Sequence, residues 1–157
     1  MIFFCETCVL AKFHRLPFNK STITSKASFQ LIHMDLWGPY RVPSVTGAKY
    51  FLTIVDDFSR FTWTHMLQDK TQVFSVIRQF YNMIETQFNT KILVIRSDNG
   101  TEFIQTTCLD FFASKGILHQ KSIVKTPQQN GVVERRHRHL IDIVRALRFH
   151  AGLPKSF

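Results

Sequence analysis

The stretch from Thr71 to Gly100 restricts the fold more than any other part of the chain. Val73, Phe74, Ile77, Phe80, Tyr81, Ile84 and Phe88 recur at steps of three and four residues, which predicts an amphipathic helix over 71–88. The run Ile92-Leu93-Val94-Ile95 then predicts a central strand covered on both faces, leaving through the turn Ser97-Asp98-Asn99-Gly100. A strand reached through a crossover helix can lie parallel to an earlier strand, whereas a hairpin gives only antiparallel neighbours. A layered α/β domain with a mixed sheet follows.

The remaining elements fit that frame. Ile32, Met34 and Leu36 alternate with Leu31, His33 and Asp35, the period of a strand that ends at Gly38-Pro39. Residues 49–55 and 61–67 are β-branched and aromatic and predict two more strands, joined by the turn Asp56-Asp57-Phe58-Ser59-Arg60. Residues 103–114 predict a second helix stopped by Gly116, and 117–123 a short strand. The polar stretch 125–131 contains Pro127 and reads as a loop. A last helix over 132–149 is expected to turn Val133, Leu140, Ile141, Val144 and Leu147 toward a core, with Glu134, Arg138, Asp142 and Arg145 on its other side.

With 157 residues, the chain has the length of one ordinary domain. No apolar stretch approaches the roughly 20 residues of a membrane-spanning helix, and Met1-Ile2-Phe3-Phe4 lacks the basic flank of a secretory signal. The three cysteines, an odd number, argue against a disulfide framework and for a reducing compartment. Twenty Lys and Arg against eleven Asp and Glu leave a net charge of +9, so the expected partner is a polyanion. Eight of the basic residues, against two acids, fall in 121–157, which marks the C-terminal quarter as the phosphate-facing surface.

Asp35 and Asp98 lie at or near the exits of two strands, and Glu134 in the first turn of the last helix. Carboxylates gathered in a polyanion-binding protein repel one another and their partner. Divalent cations resolve that conflict, because Mg²⁺ or Mn²⁺ accepts carboxylate and phosphate oxygens together. Taken singly, each acid is equally compatible with a turn or with the positive end of a helix.

The segments Ile32-His33-Met34-Asp35-Leu36-Trp37-Gly38-Pro39, Arg96 to Phe103 and Thr126 to Arg135 resemble, in order, the three signature segments of retroviral and retrotransposon integrase cores. Thirty-five residues separate Asp98 from Glu134, the interval of that family's motif. Asp56-Asp57-Phe58-Ser59-Arg60 and the opening Cys5-Glu6-Thr7-Cys8 followed by Lys12 narrow the resemblance to copia-type LTR retrotransposons. It implies an RNase H-like fold: an α/β domain whose five-stranded mixed sheet is flanked by helices. It further implies two Mg²⁺ or Mn²⁺ ions on Asp35, Asp98 and Glu134, and insertion of element cDNA into double-stranded host DNA. The longer protein is then expected to be a homo-oligomer acting in the nucleus, although no clear import signal is visible.

Cys5 and Cys8 have the spacing of half a Zn²⁺ site, which needs two further ligands to close. Residues 1–26 are accordingly expected to be a truncated zinc-binding region and linker, and 27–157 the catalytic core, itself truncated at its C-terminus. The DNA contacts expected are Lys125, Gln128, Asn130, Arg135 and Arg138, with the loop 128–131 closing over DNA, while Arg136 only adds solubility. Asp56 and Asp57 are expected to shape a turn or pair with Arg60, His33 to be a packed histidine, Cys108 a core residue, and Asn99 and Glu102, which belong to a matched segment, to cap the helix or else to orient the metal site. Two rival functions remain at this stage: an inactive DNA-binding relic, and an RNase H-like nuclease.

Overall fold

A computed structural model describes residues 25–122 and 130–154. Cys5, Cys8, Lys125 and Gln128 lie outside the described residues. The elements run β1 (Leu31–Trp37), β2 (Tyr50–Asp56), β3 (Thr62–Leu67), a 3₁₀ turn (Lys70–Gln72), α1 (Val73–Phe88), β4 (Val94–Ser97), α2 (Thr101–Ile104), α3 (Thr106–Lys115), β5 (Leu118–Lys121) and α4 (Gly131–His150). The five strands form one sheet in the order β3-β2-β1-β4-β5. β1 pairs antiparallel with β2 and parallel with β4, and β4 pairs parallel with β5. The crossover through α1 therefore yields the parallel pair that its pattern required.

Alternation along β1 sorts its side chains onto two surfaces. Ile32 and Met34 join Leu52 and Ile54 in the apolar core with Ile77, Phe80, Tyr81 and Ile84 of α1. His33 and Asp35 face the other way, toward α4, which packs on β1 and β2. α1 starts with its apolar stripe at Val73, two residues after the expected 71, because Asp69 first caps the 3₁₀ turn: its side chain accepts from Thr71 N at 2.8 Å while Gln72 Oε1 accepts from Asp69 N. That reciprocal pair satisfies N–H groups that a helix start leaves open.

Four expectations need correction. The central strand is β1, and the predicted strand at 92–95 begins only at Val94, with Leu93 before it half exposed. The single helix expected over 103–114 is two, broken at Gln105, whose extended backbone ends α2 and begins α3. Gly116 does stop α3, in the left-handed conformation at φ 68°. On α4 the apolar stripe meets a core only at its start: Val133 is buried and Leu140 and Ile141 partly so, but Val144 and Leu147 are exposed. A 20-residue helix is about 30 Å long and outruns the strands beneath it. No helix among the described residues is long and apolar enough to cross a membrane.

Candidate functional site

The parallel register of β1 and β4 aligns His33 with Arg96, so two residues further along the same register stand Asp35 and Asp98. Asp35 lies inside β1, two residues before its end, and Asp98 directly follows β4. Both are at the edge where parallel strands end, the place where such sheets gather ligand-binding groups. α4 crosses β1 with Glu134 in its first turn. The acids feel one another. Burial pushes the Asp98 carboxyl above its ordinary value, the Gly100 N–H at 3.0 Å opposes this, and the charges of Asp35 and Glu102 raise it further while Lys70 lowers it. Burial likewise raises Glu134, and the charges of Asp35 and Asp98 add to the rise.

Asn130 fixes where α4 begins. Its side chain is 1% exposed, and Nδ2 donates to the Met34 carbonyl at 3.1 Å, beside Asp35 on β1. This side chain is turned into the protein, not toward solvent as a DNA contact requires. Arg135 and Arg138 are exposed, whereas Arg136 donates from Nη2 to the Arg60 carbonyl at 3.4 Å and ties α4 to the β2–β3 turn. Solubility is thus not the whole role of Arg136. Arg138 lines a cavity of about 300 Å³ with Trp37, His137, Ile141, Asp142 and Arg145.

Asn99 and Glu102 do not cap α2. Gly100 is the residue before α2, without a side-chain cap, and Asn99 Nδ2 instead donates to the Ser122 carbonyl at 2.7 Å, joining the exits of β4 and β5. Glu102 is buried, and its Oε2 meets Lys70 Nζ at 3.5 Å. A methyl group on Gly100 would stand 2.8 Å from Glu102 Oε1 and 3.0 Å from Asp98 Oδ1, so any larger residue here would push these carboxylates aside.

Asp56 and Asp57 are structural. Asp56 accepts from Phe29 N at 2.7 Å and from the Ser59 amide and hydroxyl, while Asp57 meets Arg60 Nη1 at 3.1 Å and His33 Nε2 at 3.0 Å. Burial would raise Asp57, but the Ser25 amide and hydroxyl, His33 and Arg60 together hold it below its ordinary value. Burial lowers His33, as suits a packed histidine. Cys108 is fully buried, its thiol raised by burial and directed at the Glu102 carbonyl.

Sequence reasoning missed two residues. Lys70 reaches the acids from the turn before α1, a contact that depends on tertiary structure alone. His137 lies three residues after Glu134 on the same helix face, a spacing that could have revealed it. Its Nδ1 is 2.6 Å from Asp35 Oδ2. Hard carboxylate oxygens are the donor set of Mg²⁺ or Mn²⁺, and their mutual repulsion is the strain a cation relieves. With Asp35 turned onto His137, no three His, Cys, Asp or Glu side chains among the described residues are assembled into a ready-made cage for one ion.

A mixed sheet in this order, flanked by helices and carrying acids at the exits of its parallel pair, is an RNase H-like domain. Residues 25–127 match the integrase core domain, and the chain belongs to that family, which sets it among the polynucleotidyl transferases. It is 39% identical over 153 residues to the "Retrovirus-related Pol polyprotein from transposon TNT 1-94" of Nicotiana tabacum, covering 98% of this chain and 12% of that protein. To the corresponding polyprotein from transposon RE2 of Arabidopsis thaliana it is 37% identical over 98% of this chain and 10% of the other. The chain thus spans about a tenth of the length of the curated relatives it matches. Among solved structures, one titled "CryoEM structure of simian T-cell lymphotropic virus intasome in complex with PP2A regulatory subunit B56 gamma" superposes with a TM-score of 0.71. That match has 17% identity and covers 92% of this chain and 50% of the other, a likeness of fold.

Proposed function

We propose that this chain is the catalytic core of a copia-type integrase, which joins element cDNA ends to double-stranded host DNA in the nucleus. Asp35, Asp98 and Glu134 would hold two Mg²⁺ or Mn²⁺ ions. The observation that carries this reading is that the charge of Asp35 on β1 helps to raise both Asp98, after β4, and Glu134, on α4, in a chain of net charge +9. When bound, the cations supply activation of the attacking 3′-hydroxyl and stabilisation of the departing oxygen. The chain's own groups do the positioning. Arg138, near enough to Glu134 for their charges to interact, offers a guanidinium group to phosphate, and Arg145 and Trp37 line the same cavity as Arg138. Asn130 and Arg136 hold α4, the helix that carries Glu134, against β1 and the β2–β3 turn. In the longer protein, oligomer formation and a Zn²⁺ site completed from Cys5 and Cys8 belong to the same proposal.

Mn²⁺-dependent strand transfer on duplex DNA ends tests the reading. Activity should disappear in Asp35→Asn, Asp98→Asn and Glu134→Gln proteins that remain folded, and turnover retained by any of them refutes its assignment. The pairing of Asp35 with His137 is the observation that favours an inactive DNA-binding relic. DNA binding without any Mn²⁺ uptake in calorimetry would decide for the relic.

A further inference from the structure

We propose that Lys70 contacts a DNA phosphate beside Asp98, and that Glu102 competes with that phosphate for the lysine; the inference rests on DNA being the partner, as set out above. The turn that carries Lys70 is fixed. Asp69 Oδ1 accepts from Thr71 N at 2.8 Å, and Gln72 Oε1 accepts from Gln68 N at 2.8 Å and from Asp69 N at 3.3 Å, so the backbone on both sides of Lys70 is tied down. From this turn Nζ stands 6.0 Å from the centre of the Tyr50 ring, at the start of β2, and donates to Glu102 Oε2 at 3.5 Å. Glu102 and Asp98 are close across Gly100: one added methyl would meet both carboxylates, so Glu102 Oε1 and Asp98 Oδ1 lie within about 6 Å of each other. The charge of Lys70 reaches Asp98 as well, lowering it against the charges of Asp35 and Glu102.

The ion pair is unequal. The Glu102 side chain is 4% exposed and that of Lys70 46%, so the acid is confined and the amine faces solvent. Their separation of 3.5 Å is long for an N–H···O bond, whose ordinary range is about 2.7–3.2 Å. An ammonium carries three donors, and this contact engages one of them. A phosphate arriving beside Asp98 meets the repulsion of two carboxylates, and a cation must offset it. On α4, Arg135 and Arg138 act in that way on Glu134; at Asp98 the cation is Lys70, supplied by a different element. A weak contact to Glu102 keeps the amine near the acids and lets a phosphate oxygen take it over.

Fluorescence anisotropy with labelled duplex DNA, on the full chain in chelator and at several salt concentrations, tests this. Lys70→Gln should bind about tenfold more weakly at about 0.1 M salt, with the slope of log affinity against log salt lower by about one. Glu102→Gln removes the competitor and should tighten binding about 2- to 5-fold, the strength of a partly exposed ion pair. The double variant should bind like Lys70→Gln alone, because Glu102 acts through the lysine. If Glu102 merely repelled DNA, its removal would tighten binding equally with and without Lys70, and such additivity overturns the competition. Thermal melting accompanies each variant. Both single variants melting lower with an unchanged salt slope would make the pair purely structural and overturn the phosphate contact. If Lys70→Gln strands the buried acid and does not fold, Glu102→Gln and the double variant give the same comparison, and their slopes must differ by about one. A parent chain without salt-dependent DNA binding refutes the proposed function itself, whereas parental binding with an unchanged slope in Lys70→Gln refutes this inference alone.

Discussion

Asp98→Asn should stabilise the metal-free protein while destroying its capacity to bind Mn²⁺. The substitution is nearly isosteric, and the asparagine Oδ1 can still accept from the Gly100 N–H that Asp98 receives at 3.0 Å. What disappears is a charge facing Asp35, Glu102 and Glu134. At a separation on the order of 6 Å and an effective dielectric between about 20 and 80, each like-charge pair costs about 1–3 kcal/mol. The lost attraction to Lys70 and the weaker bond to Gly100 N–H offset part of that gain. A net stabilisation of about 1 kcal/mol is expected, or about 3 °C in melting temperature for a domain of this size. Calorimetric melting in chelator at pH 7 measures it. The sign of the pH dependence follows from the raised folded-state value of Asp98: its carboxyl takes up a proton more readily in the folded chain than at the ordinary 3.8. The repulsion is therefore fully present at pH 7, relaxes as pH falls through the raised value, and is gone below 3.8. The advantage of Asp98→Asn should shrink over the same range. A variant no more stable than the parent at pH 7, or an advantage independent of pH, would refute the mutual repulsion on which the candidate site rests.

Two further expectations concern the basic surface and the buried histidines. Arg138→Ala and Arg145→Ala should each weaken DNA binding and lower the slope of log affinity against log salt by about one, measured by fluorescence anisotropy; an unchanged slope would remove that arginine from the phosphate contacts. Burial lowers His33, His65 and His119 below the ordinary 6.5, so the stability they contribute is present above 6.5 and is lost as pH falls through it. The urea midpoint should accordingly drop between pH 7.5 and 5.5, and a rise over that interval would show that the acids at the site outweigh the three histidines.

Elements whose side chains repeat with a single period were legible from local pattern. The alternation of Ile32, Met34 and Leu36 marked β1, and the three- and four-residue steps of Val73, Ile77, Phe80, Tyr81 and Ile84 marked α1. Burial of one face imposes such periods whatever the partner is. The break at Gln105 had no such signal, because no Gly or Pro marks it and one extended residue is enough to separate two helices. Val144 and Leu147 misled for the complementary reason: periodicity tells which side of a helix is apolar, and the length of sheet beneath it decides how much is covered.

The candidate site divides along the same line. The resemblance of three segments to integrase cores brought out Asp35, Asp98 and Glu134 as candidates, while composition gave the polyanion-seeking charge and the crossover helix the need for a parallel strand pair. Tertiary structure decided everything that depends on distance between remote residues: that Asn130 turns inward to Met34, that Lys70 pairs with Glu102, and that His137 Nδ1 comes within 2.6 Å of Asp35 Oδ2. Those contacts arise from the angle at which α4 crosses β1 and the place where the first turn before α1 meets α2. Such angles and meeting points are set by side-chain packing summed over the whole core, for which no local stretch of sequence carries a period.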